Sequence, residues 1–105
     1  MNGKVYIAGK VSGLPFGDVF TKFGMAEFWL KNQGYEVVNP LRLCSTSWSW
    51  SRCMRVCLAE LVTCDAICML PDWTDSRGAH LEWAVATHLG MRVMNYRPKT
   101  VNCEQ

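Results

Sequence analysis

The sequence predicts a three-layer α/β domain: a parallel sheet of four to five strands with helices on both faces. Two observations carry this. Short, continuous apolar runs such as Val5-Tyr6-Ile7-Ala8 and Ala66-Ile67-Cys68-Met69-Leu70 read as strands buried on both sides. Between such runs lie longer segments whose apolar residues recur at helical spacing. The resulting order, β-α-β-α-β-α-β, calls for parallel strands joined by right-handed crossovers. At 105 residues the chain has room for one domain, residues 1–105.

The elements follow in order. Val5 to Ala8, closed by Gly9, is the first strand. Gly9 to Gly17 holds three glycines, Ser12 and Pro15, so it is a loop. Asp18 to Asn32 is a helix, with Val19, Phe20, Phe23, Ala26 and Leu30 at helical spacing. Asp18 is its expected N-cap, and Gly34 stands where a helix-ending glycine belongs. Tyr35 to Val38 is the second strand, stopped by Asn39-Pro40. Leu41 to Trp50 reads as an irregular loop. Arg52 to Thr63 is a second helix with Ser51 as its expected cap. Asp65 to Leu70 is the third strand, and Asp72 to Arg77 a polar turn. Ser76 or Gly78 opens a third helix that runs to Leu89 and ends at Gly90. Met91 to Met94 is the fourth strand, and the tail after Arg97-Pro98 reads as a frayed end or short capping piece.

Composition narrows the function. Half the residues are hydrophobic and 19% are charged, as in a globular chain. A net charge of +2 gives no broad basic face, so a nucleic-acid partner is not expected. No run approaches the roughly 20 apolar residues that span a bilayer, so no membrane partner is expected either. The opening Met1-Asn2-Gly3-Lys4 lacks the apolar core of a signal peptide, which points to a cytoplasmic protein. Six cysteines are therefore read as free thiols. Cys53 and Cys57 are four apart, as are Cys64 and Cys68, and the first pair can share a helix face. Zinc sites use tighter Cys-x-x-Cys pairs more often, so no metal site is expected, and no cofactor.

In an open parallel sheet, ligands sit outside the carboxyl ends of the strands. Three loops leave those ends: Gly9 to Gly17, Pro40 to Trp50 and Pro71 to Arg77. In the first, Gly9, Ser12 and Gly13 let backbone amides approach an anion, although the loop matches no phosphate-binding motif and also fits an ordinary turn. In the third, Ser76 and Gly78 stand at a helix start, a position suited to phosphate. Glu82 lies about one and a half turns into that helix, and its side chain leans back toward the same cleft. A carboxylate on a largely apolar helix is either functional, or solvated, or paired with Arg77 or His80. Trp48, Trp50 and Trp73 fall on ligand-side loops, where they can stack a base, cover the core or form a subunit contact. For Trp50 a core or subunit-contact role is favoured over stacking. His80 and His88 read as ordinary satisfied or solvated histidines.

These residues together resemble a known family. Tyr6-Ile7-Ala8-Gly9 with Ser12-Gly13, Cys64-Asp65-Ala66-Ile67, Leu70-Pro71-Asp72-Trp73, Ser76-x-Gly78-Ala79-x-x-Glu82, and Ala86 before Gly90 are similar to phage and bacterial domain-of-unknown-function proteins related to nucleoside 2-deoxyribosyltransferases. The resemblance covers Val5 to about Met94. It implies a Rossmann-like or flavodoxin-like fold, a homo-oligomer, and a small nucleoside or nucleotide as ligand. It makes Glu82 the nucleophile that attacks the anomeric carbon and expels the base. Ser76 and Gly78 then bind sugar or phosphate, beside Tyr6, Gly9 and Ser12. The relatives' acid in the helix before the third strand is an aspartate; this chain has Arg55-Val56-Cys57 there, with Glu60 the nearest acid. Asp72 or Asp75 is the candidate replacement as proton donor. Two other readings stand beside this one: a non-catalytic nucleotide-binding module, and an oligomeric interaction protein with a vestigial pocket.

Overall fold

A computed structural model describes residues 3–98 of the chain. The sequence reading of the tail beyond Pro98 lies outside the described residues. The elements are β1 (Lys4–Ala8), α1 (Phe16–Lys31), β2 (Glu36–Val38), α2 (Trp50–Leu61), β3 (Ala66–Met69), α3 (Arg77–His88) and β4 (Arg92–Asn95). The four strands form one parallel sheet in the order β2-β1-β3-β4. In register, Tyr6 stands between Val38 on one side and Ile67 on the other, and Ile67 faces Val93. The architecture is the Rossmann-like α/β sandwich that the alternation of strands and helices predicts.

The strand order fixes the layers. The step from β1 to β2 runs one way along the sheet, and every later step runs the other way. Right-handed crossovers therefore put α1 on one face and α2 with α3 on the other. The core divides accordingly. Val5, Ile7 and Cys68 pack with Val19, Phe23, Ala26 and Leu30 of α1. Tyr6, Ala8, Ile67 and Met69 pack with Cys57 and Leu61 of α2 and Ala79 and Ala86 of α3. Alternate residues of β1 thus serve opposite layers, as the pleat requires. Tyr6 points into the α2/α3 side.

The starts of two helices and the segment after β2 differ from the sequence reading. Helix α1 starts at Phe16, with Pro15 at the cap position, so Asp18 sits inside the first turn. Its charge there still favours the positive helix end. Helix α2 starts at Trp50, and Ser49 rather than Ser51 caps it, accepting from the Arg52 amide at 3.1 Å. Both serines have the right chemistry; the chain's approach to the helix selects the earlier one. The stretch after β2 is also more ordered than a loop. Pro40–Arg42 is a 3-10 turn whose Leu41 amide donates to the Asn39 side chain at 3.0 Å.

That turn is held by a buried acid the helical pattern passed over. Glu27 lies on the inner face of α1. It accepts from Asn39 Nδ2 at 3.0 Å, pairs with Lys31 at 2.7 Å, and is bonded by Arg42. Burial opposes its charge, yet these donors outweigh that and pull its pKa down to about 2.

Gly9 ends β1 against β3's exit. A Cβ built there would lie 2.6 Å from Leu70 Cδ1 and 2.9 Å from Leu70 Cβ. Leu70 is fully buried, and its Cβ cannot swing away. Gly9→Ala is therefore expected to destabilise by about 1–3 kcal/mol through overpacking. Urea unfolding measures this, and an unchanged midpoint refutes the steric account.

Candidate functional site

The sheet order reverses between β1 and β3, so the exits of these two strands diverge to opposite faces and leave a crevice. A cavity of about 760 Å³ opens there. All three carboxyl-end loops contribute: Gly9 to Ser12 from the first, Pro40 to Ser49 from the second, and Asp75 to Gly78 from the third. Trp50, Cys53, Met54 and Cys57 of α2 and Glu82 of α3 complete the wall.

Glu82 is the buried acid of this cavity, only 6% exposed. Helix α3 carries it there because Ser76 caps the helix, accepting from the Ala79 amide at 3.1 Å, and so sets where the first turn begins. The Tyr6 hydroxyl donates to Glu82 Oε2. Burial pushes the Glu82 pKa up to about 7, against the lowering effect of that hydrogen bond. Burial, and then the Glu82 charge, drive the Tyr6 phenol well above its ordinary range. Tyr6 therefore remains a donor, and Glu82 titrates near neutrality. A carboxylate poised in this way can act as nucleophile or base when ionised and as acid when protonated.

Cys57 stands where the resemblance expects an aspartate. Its thiol is in hydrogen-bonding contact with Tyr6 and close to Glu82, and burial raises its pKa above that of an ordinary cysteine. The cysteines also require a correction. The sequence leads to an expectation of free thiols, but Cys44 and Cys53 form a disulfide. Cys57, Cys64 and Cys68 are thiols, all buried. The segment after β2 folds back over α2 and brings Cys44 to Cys53, an approach that a spacing of nine residues does not announce.

The structure divides the predicted site residues into two groups. Gly9, Ser12, Ser76, Gly78 and Glu82 line the cavity, and Tyr6 reaches it through Glu82. Gly78 has a packing reason as well: a Cβ there would lie 3.1 Å from Met54 Sδ, where α2 and α3 approach. Asp72 is not in the wall. It pairs with Lys22 of α1 and accepts from the Lys10 amide at 3.1 Å, which ties the first and third loops together on the α1 side. The 3-10 turn Trp73–Asp75 instead leaves Asp75, an exposed residue, at the cavity wall. Gly13 lies beyond the wall, in an exposed turn with φ of 84°. Trp73 is also outside it, stacked on Trp83 at 5.4 Å and against His80 at 4.8 Å.

Sequence reasoning missed part of the wall. Trp50, read there as a core or subunit-contact residue, lines the cavity with the Arg77 guanidinium 3.9 Å above its ring. Arg52 sits likewise 4.0 Å over Trp48. The signal was present as basic residues near two tryptophans; the Arg52–Trp48 contact is local to the start of α2, whereas the Arg77–Trp50 contact depends on how α2 meets α3.

A parallel α/β sandwich with a buried acid at its switch point defines the class: a Rossmann-like domain with its candidate site at the strand carboxyl ends. Residues 3–95 match the family described as Domain of unknown function (DUF4406), and the chain belongs to it. No curated protein matches the chain. Among the described residues no helix is long and apolar enough to cross a membrane.

Proposed function

We propose that this protein binds a deoxynucleoside or its 5′-monophosphate in the β1–β3 crevice and cleaves or transfers its N-glycosidic bond, with Glu82 as nucleophile. The observation that carries the reading is Glu82 itself: a carboxylate buried in a cavity wall, held by the Tyr6 hydroxyl and titrating near pH 7. In the proposed reaction its oxygen attacks the anomeric carbon. The bond from that carbon to the base nitrogen breaks, and a covalent glycosyl-enzyme forms through an oxocarbenium-like transition state. The leaving base takes a proton, a role we give to Asp75, which shares the cavity wall. Water or a second base then releases the sugar.

The rest of the wall fits such a ligand. Lys10 and Arg77 supply positive charge, and α3 turns its positive end toward a phosphate placed there. Trp48 and Trp50 offer faces on which a base can stack. The exposed Phe20, Met25 and Phe28 on α1 support self-association, the oligomer that the resemblance implies.

The test is incubation with the four deoxynucleoside 5′-monophosphates, followed by chromatography for free base. Base release by the wild-type chain upholds the enzymatic reading. Binding without release assigns the chain as a non-catalytic nucleotide-binding module, and neither outcome leaves the vestigial pocket. Ser76→Ala adds a second measurement. Loss of the cap should cost about 1 kcal/mol and shrink the rise in Tm that a bound monophosphate produces. An undiminished rise places the phosphate elsewhere.

A further inference from the structure

Three cysteines converge on one side of the cavity. Cys53 and Cys57 lie one turn apart on α2, and Cys44 reaches them from the segment after β2. Their sulfur atoms all lie within 4.8 Å of one another. Cys57 Sγ is 3.6 Å from Cys44 Sγ and 3.9 Å from Cys53 Sγ. In a tetrahedral thiolate site with ~2.3 Å zinc–sulfur bonds, neighbouring sulfurs stand about 3.8 Å apart. Two of the three edges of such a site are thus already at length. The third is closed by the Cys44–Cys53 bond.

We propose that the reduced Cys44/Cys53/Cys57 cluster is a thiolate site for a soft divalent metal of the zinc class, and that the disulfide is its closed form. Opening it consumes two electrons and two protons from a dithiol reductant, which becomes a disulfide itself. The metal then displaces the protons of the three thiols to solvent as three sulfur–metal bonds form. The helix fixes two ligands at i and i+4 on one face, which lowers the ordering cost, and the segment after β2 brings the third. All three residues line the cavity, so the fourth position faces it and remains open to water or ligand. Arg77 and Lys10 in the same wall offset the negative charge of three thiolates. The remaining described cysteines, Cys64 and Cys68, belong to no such group of three. The proposal does not depend on nucleotide chemistry at Glu82.

The experiment is a cobalt titration of the full chain, reduced with a phosphine under anaerobic conditions. Thiolate-to-cobalt charge transfer should rise to one equivalent per chain and vanish when zinc is added. The unreduced chain should give no such band. Cys57→Ser and Cys44→Ser should each weaken cobalt binding at least about a hundredfold, since even losses outside the ligand set cost 10–100-fold. Cys64→Ser is the matched control and should leave the titration unchanged. Circular dichroism on each reduced variant separates lost ligation from lost folding. A reduced, folded wild-type chain without the charge-transfer band overturns the proposal. So does a band that survives Cys57→Ser. Uptake of no metal together with remapping of the disulfide to Cys57 also overturns it, and makes the cluster a thiol–disulfide exchange centre.

Discussion

Glu82→Gln is expected to cut base release from a deoxynucleoside monophosphate by at least about a thousandfold, because an amide cannot form the glycosyl intermediate. The same variant is expected to be more stable than the wild-type chain above neutral pH. Burial raises the Glu82 pKa from 4.5 to about 7, so the folded state holds its proton more tightly than the unfolded state. The sign follows. Below pH 4.5 both states are protonated and the carboxyl carries no penalty. Between 4.5 and about 7 the wild-type chain loses stability as pH rises, and above that the penalty is constant. Its size is about 3 kcal/mol, since each tenfold change in proton affinity is worth about 1.36 kcal/mol. Glutamine still offers an oxygen to Tyr6 and avoids the buried charge. Urea unfolding at pH 8 and pH 4 should show the gain at the first and none at the second. A less stable variant at pH 8 would falsify the burial account. The pH–rate profile separates two roles for Glu82. As nucleophile it gives a kcat/KM that rises tenfold per pH unit to about pH 7 and then levels. A rate that falls above pH 7 assigns it as the acid instead.

Glu27→Gln is expected to destabilise the chain by about 2 kcal/mol at pH 7, through loss of the ionic hydrogen bonds from Lys31 and Arg42. The Glu27 side chain is 7% exposed, but those of Lys31 and Arg42 are 58% and 65% exposed. Solvent screening at those partners keeps the loss below what the depressed pKa alone implies. Here the sign is opposite to that at Glu82. The folded pKa is depressed to about 2, so the stabilisation is complete above the ordinary carboxyl range near 4.5 and fades as pH falls to 2. Acid titration of both proteins should show their stabilities converging across that window. A gap that persists at pH 2 refutes the ionic origin. The loss should also weaken ligand binding. Glu27 holds Asn39, Asn39 orders the Pro40–Arg42 turn, and Pro40 and Leu41 line the cavity.

What could be read in advance follows from which interactions are local. Strand runs and helical periodicity are properties of consecutive residues, so element types and order were legible from β1 to β4. So was the parallel sheet, because alternation of the two leaves few other ways to bury both. Gly9, Ser12, Ser76, Gly78 and Glu82 were legible because helix starts and strand ends have local signatures, and the topology sends them to one end of the sheet. Helix caps were less secure: Ser49 and Ser51 carry the same hydroxyl, and only the path of the preceding chain separates them.

The tertiary structure decided what depends on contacts between distant elements. Asp72 and Asp75 are three residues apart with the same carboxyl group. A single 3-10 turn sends one to Lys22 and leaves the other at the cavity wall. Cys44 meets Cys53 only because the segment after β2 folds over α2. Glu27 reads as a break in an apolar face until Asn39 and Arg42 arrive from outside the helix. Glu82 was visible as a carboxylate on an apolar helix, but its proton affinity was not. That comes from the depth of the site, set against the lowering hydrogen bond of Tyr6, which lies 76 residues away in sequence and is brought beside it by the packing of α3 on β1.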